Sequence, residues 1–92
     1  MLEKDVIIIN KLGLHLRAAT KLVQLASDFE ADITISCNEQ DADAKSIMDV
    51  LMLAAIVGTE VNIKVSGDNQ EQELEIMDQV VSLIQDRFGE DE

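Results

Sequence analysis

The chain has 92 residues, enough for one domain with a modest core and too few for two. Apolar residues make up 47% of it, which excludes a disordered polymer, and nineteen acidic against seven basic residues give a net charge of −12 that repels nucleic-acid backbones and anionic lipid. The single cysteine, Cys37, excludes an internal disulfide and a multi-cysteine metal site, so it reads as a small buried hydrophobe, and neither metal nor cofactor is expected.

No apolar run is long enough to span a bilayer, and the opening MLEKDVIIIN lacks the basic stretch of a signal peptide. The acidic excess in 39–43, 68–78 and the tail GEDE reads as a solvated surface. A soluble, monomeric, cytoplasmic protein is therefore expected, without nucleic-acid or membrane partners.

In chain order, residues 4–9 (KDVIII) form a first strand that stops at the turn-like NKLG. From Leu16 the apolar positions Ala19, Leu22, Val23, Ala26 and Phe29 follow helical spacing, with Lys21, Gln24, Ser27 and Asp28 on the opposite face. ADITISC (31–37) alternates with period two, 38–40 turn, and DADAK (41–45) returns as a short third strand. SIMDVLMLAAIVG predicts a second helix, with Ser46 at the N-cap, Asp49 at the capping-box position and Gly58 just past the end. EVNIKVS (60–66) alternates again. A last helix is predicted over about 70–87, with Leu74, Met77, Val81, Ile84 and Phe88 along its apolar stripe. The order βαββαβα, with strands wet on one side, predicts an α+β open-faced sandwich: one domain over 1–92, a four-stranded antiparallel sheet, and three helices on one face.

The chemistry points to NKLGLHLRAATKLVQLA, which holds the only histidine, His15. At or beside an N-cap, its imidazole faces the unpaired N–H groups of the first helical turn and the positive end of the helix dipole, an anion-binding arrangement. Arg17 adds a guanidinium fork suited to phosphate oxygens. Positive surroundings would also keep the ring neutral, and so nucleophilic. On these residues alone, a phosphoryl-accepting histidine and a histidine that merely caps a helix stand about equal.

The same stretch resembles the phosphohistidine signature of the HPr family, phosphocarriers of the bacterial phosphotransferase system, whose core reads G-L-H-A-R-P-A. KSIMDVLMLAA at 45–55 resembles the family's second signature, around its regulatory serine. The resemblance implies a carrier, not an enzyme. His15 would accept a phosphoryl group on Nδ1 from phosphorylated enzyme I, charged by phosphoenolpyruvate, and pass it to an enzyme IIA domain. Arg17 and the backbone at Leu16 and Arg17 would hold the phosphate. Thr20, Lys21, Gln24, Ile47, Met48, Asp49 and Leu51 would lie on the docking surface, with Met48 the apolar residue best placed to be exposed. Ser46 has two readings: a helix cap, or a serine phosphorylated by HPr kinase/phosphorylase. Ala18 and Leu16 depart from the family's usual proline and alanine. Gln24, Ser27 and Asp49 stand where sugar-pathway members carry positive charge, which resembles the nitrogen-related branch, NPr. A regulatory module that keeps this fold without relaying phosphate is the rival reading. An acyl carrier protein is contradicted by the alternating strands, and a metal chaperone by the lone cysteine.

Overall fold

A computed structural model describes residues 1–92. Four strands, β1 (Leu2–Ile7), β2 (Asp32–Cys37), β3 (Gln40–Asp43) and β4 (Glu60–Ser66), form one sheet in the order β1-β4-β2-β3, antiparallel throughout. Three helices, α1 (Leu16–Ser27), α2 (Ile47–Met52) and α3 (Gln70–Gln85), interleave with them to give βαββαβα, as the periodicity predicts. No helix is long and apolar enough to cross a membrane.

The pairing follows directly from the alternation. Val61, Ile63 and Val65 of β4 meet Val6 of β1 and Ile33 and Ile35 of β2, and all six are buried beneath the helices. Each such side chain contributes roughly 1.5–3 kcal/mol on burial. The other face is polar: Asn62 donates to both Glu3 and Asp5, and Ser36 donates to Asp41. Asn38 and Glu39, both at positive φ, close the β2–β3 hairpin in the two-residue form that matches strand twist.

Several details differ from the periodicity: β3 is Gln40–Asp43 and not 41–45, and α3 ends at Gln85, so that Phe88 is buried from the left-handed turn after the helix and not from its stripe. Strand β1 ends at Ile7 instead of Ile9. Ile8 stays buried, its amide donating to the Thr59 carbonyl as the chain turns toward Asn10. The apolar stripe of α3 is Ile76, Met77, Val80, Val81 and Ile84, whereas Leu74 is 52% exposed. Glu73 takes the inward position instead, because its carboxylate accepts the Gly67 amide at 2.9 Å; that hydrogen bond outweighs the effect of burial and holds the carboxyl below its usual range.

The second helix differs most. It spans six residues, Ile47–Met52, and not the full stretch between the Ser46 cap and Gly58. A helix apolar on nearly every side cannot bury all its faces against one sheet. The chain breaks at Ala54, which takes positive φ, and buries Leu53 and Ala55. Gly58, expected as the helix terminator, lies instead in the turn into β4, where its amide donates to the Ile8 carbonyl.

Candidate functional site

The break after α2 places the candidate site. With the helix ended, the Ala55 carbonyl accepts the Leu14 amide at 2.9 Å and pins the loop that precedes α1. Gly13 permits this approach: its φ is +67°, and a Cβ there would lie 2.4 Å from the Ala55 oxygen. Leu14 is buried beside it, so the next residue is delivered in a fixed position.

That residue, His15, is the N-cap of α1, with extended backbone (φ −77°, ψ 178°) and a half-buried side chain that makes no capping bond of its own. The first intrahelical bond runs from the Ala19 amide to the His15 carbonyl at 2.8 Å. Helix geometry therefore leaves the amides of Leu16, Arg17 and Ala18 without intrahelical partners. Arg17 is exposed and lines a cleft with Lys11, Leu12, Lys21 and the tail residues Gly89–Glu92. Thr20 donates to the Leu16 carbonyl at 2.8 Å one turn on, and Gln24 is exposed.

The tail changes the electrostatics expected from the sequence. The Glu90 carboxylate accepts a hydrogen bond from His15 Nε2, so the imidazole does not stand in purely positive surroundings. Partial burial pushes the Glu90 carboxyl up, but hydrogen bonds from His15 and Asn10, with the charges of His15 and Arg17, hold it below the ordinary carboxylate range. An ionised carboxylate can only accept, so the proton in this bond belongs to Nε2.

The segment bearing Glu90 is tied down at several points. Arg87, Phe88 and Gly89 turn the chain in the left-handed region, at φ of 55°, 54° and 78°. That conformation costs roughly 1–2 kcal/mol for each of the two non-glycine residues. Complete burial of the Phe88 ring offsets much of it. Lys21 Nζ donates to the Phe88 carbonyl at 2.6 Å, and Asn10, fully buried, donates to both the Gly13 carbonyl (2.8 Å) and Glu90 (3.1 Å). The Lys11 amide donates to the Glu92 carbonyl at 2.9 Å. Lys21, expected as a free docking charge, is therefore half-buried and engaged with the tail.

On the other flank, Ser46 caps α2 by accepting the Asp49 amide at 3.4 Å. Asp49 does not complete a reciprocal capping box. Its carboxylate accepts the Asp43 amide at 3.3 Å. Ile47 and Leu51 are half-buried, while Met48 is 67% exposed; Met52, Ile56 and Val57 are exposed as well, joined by Leu12 and Leu16 from the histidine loop.

Sequence reasoning did not reach Asn10, Glu90, Met52, Ile56 or Val57. For Glu90 no local pattern existed, since GEDE looks like any solvated acidic tail. For Met52 and Ile56 a signal is present in SIMDVLMLAAIVG, which holds more apolar positions than one buried helix face can take.

The family profile described as PTS HPr component phosphorylation site matches residues 2–86. The chain is 49% identical over 92 residues to phosphocarrier protein HPr of Cupriavidus necator, covering 100% of both. It is 43% identical to phosphocarrier protein NPr of Shewanella violacea, over 97% of this chain and 94% of that protein. The crystal structure of HPr-C-His from Thermoanaerobacter tengcongensis superposes with a TM-score of 0.87 at 36% identity, covering 100% of each chain.

Proposed function

The chain belongs to the HPr family of the phosphotransferase system, and from that premise we propose that His15 is its phosphoryl acceptor. The role is that of a phosphocarrier and not of a catalytic enzyme. His15 takes the group on Nδ1 from phosphorylated enzyme I, charged by phosphoenolpyruvate, and delivers it to an enzyme IIA domain.

The observation that carries this reading is the placement of His15 at the N-cap of α1, beside amides that have no intrahelical partner. In the neutral ring, a proton held on Nε2 by the Glu90 carboxylate leaves Nδ1 with the lone pair that attacks phosphorus. The Leu16 and Arg17 amides and the Arg17 guanidinium are then the groups that receive the phosphoryl oxygens. Ala18 retains an amide hydrogen that proline would lack, so replacing the family's usual proline removes no donor. One arginine and a few amides give a shallow site, which suits a group held only between two transfers.

The exposed residues Met48, Met52, Ile56 and Val57, with Leu12 and Leu16, form the docking face, and Asp49 and Gln24 lie at its polar margin. Flexible methionines suit a surface that must receive enzyme I and enzyme IIA in turn. The alternative, a non-relaying module controlled by phosphorylation of Ser46, has less support. Ser46 is occupied as a cap, and the carboxylates of Asp43 and Asp49 lie next to it.

The test is to incubate the protein with phosphoenolpyruvate and each enzyme I paralogue of its host, alongside His15→Ala. One added phosphate by intact mass, acid-labile and alkali-stable, is expected on the parent protein and absent from the variant. The paralogue that labels it assigns the sugar or the nitrogen-related branch. A folded protein that no paralogue labels refutes the carrier reading.

A further inference from the structure

We infer that Glu90 is a positioning residue for phosphoryl transfer, holding the proton of His15 on Nε2 so that Nδ1 presents a lone pair before transfer and the ring's positive charge is balanced after it. The inference rests on His15 being the acceptor. It goes further by assigning a role to a residue outside the stretch that the family profile matches.

The placement of Glu90 is built and not incidental. Its side chain is only 12% exposed, although it sits in an acidic tail whose other members, Asp91 and Glu92, are exposed. One carboxylate oxygen takes His15 Nε2 and the other takes the amide of the fully buried Asn10. The backbone before it accepts a left-handed turn at Arg87 and Phe88 and is clamped through the Phe88 carbonyl by Lys21. A Cβ at Gly89 would stand 3.1 Å from Lys21 Nζ, so the residue preceding Glu90 is itself fitted to that clamp.

The electron count shows what the carboxylate contributes. In the accepting step the Nδ1 lone pair forms an N–P bond while the bond from phosphorus to the donor atom breaks, its electron pair leaving with the donor. The ring keeps its Nε2 proton and so acquires positive charge, which lies against Glu90. In the delivering step the N–P electron pair returns to the ring as the acceptor bonds phosphorus, and the ring is neutral again with the same proton in place. No proton has to be found or lost between the two transfers. A buried carboxylate that orients an imidazole and stabilises its cation performs the same service in hydrolytic triads. The other charged groups around the pair are Lys11, Arg17 and Lys21, with Asp91 and Glu92 from the tail. Lys21 Nζ donates to the Phe88 carbonyl and Lys11 Nζ lies 3.5 Å from a Glu92 carboxylate oxygen, whereas the group at His15 Nε2 is the Glu90 carboxylate.

The test uses the full chain and the conservative variant Glu90→Gln beside Glu90→Ala, with folding checked by amide spectra. Because His15 is the sole histidine, its ring nitrogens are read without overlap after 15N labelling. At mildly alkaline pH the parent protein is expected to show a protonated Nε2 and a bare Nδ1, and both variants a mixture of tautomers. Transfer from phosphorylated enzyme I is expected to slow roughly 10- to 100-fold in both variants, the range for losing a charged hydrogen bond. Onward transfer should also become steeply pH-dependent, falling as pH rises. A parent ring protonated on Nδ1, or variants with the parent's tautomer and rates, overturns the role of Glu90. A parent protein that takes no phosphate overturns the carrier reading beneath it.

Discussion

The two flanks of His15 are built from opposite materials. On one side, the loop of Asn10 and Lys11, the first turn of α1 and the tail at Phe88–Glu92 are joined by hydrogen bonds from Asn10, His15, Lys21 and Lys11. On the other, α2 and the turn after it present Met48, Met52, Ile56 and Val57 to solvent, with few polar ties. The first arrangement ties the His15 ring to a carboxylate, which suits the phosphoryl chemistry proposed for it. The second offers exposed apolar area, which suits the docking proposed for it. A carrier must combine the two at one point, and the seam is the hydrogen bond from Leu14 to Ala55.

Breaking that seam has the largest expected effect. Gly13→Ala adds a Cβ 2.4 Å from the Ala55 oxygen at a φ of +67°. Strain and overpacking together should cost roughly 2–5 kcal/mol, measured by urea denaturation. Wild-type stability in that variant would show that the two flanks are not coupled through this contact.

The next prediction separates the flanks by function. Replacing Met48 and Met52 with serine should raise KM for enzyme I about 10-fold, the loss expected for apolar anchors at an interface, and leave the His15 tautomer unchanged. Glu90→Gln should do the reverse, altering the ring while sparing partner affinity. If the methionine pair slowed transfer at saturating enzyme I, the division of labour would fail.

Smallest is Ser46→Ala. The capping bond is long at 3.4 Å, so its loss should lower stability by about 0.5–1 kcal/mol, a few degrees in Tm, with transfer unaffected. A marked loss of transfer would instead place Ser46 in the docking face.

Much of this could be read from the chain because β2, β4 and α1 carry unambiguous periods, and because His15, Gly13 and Arg17 sit together in sequence. What escaped reading has physical causes. The second helix stops short of its expected end before Gly58 because apolar residues on every side say nothing about where burial runs out; the chain leaves the helix after Met52, and the Ala55 carbonyl accepts the Leu14 amide. Glu73 displaced Leu74 from the stripe because one backbone amide, Gly67, needed an acceptor. The expected positive field at His15 was corrected by Glu90, seventy-five positions away, and no local pattern encodes such a contact.

Asn10 sets how the protein breathes. Its one amide group binds the loop at Gly13 and the tail at Glu90, from within a fully buried setting. Peeling the tail away strands that donor at a cost of roughly 1–3 kcal/mol unless the loop yields too. Loop and tail therefore make a single cooperative opening unit, formed from opposite ends of the chain, and fluctuations that detach Glu90 also unmake the cradle of His15. A state with Glu90 detached and the His15 loop intact is disfavoured by that same cost.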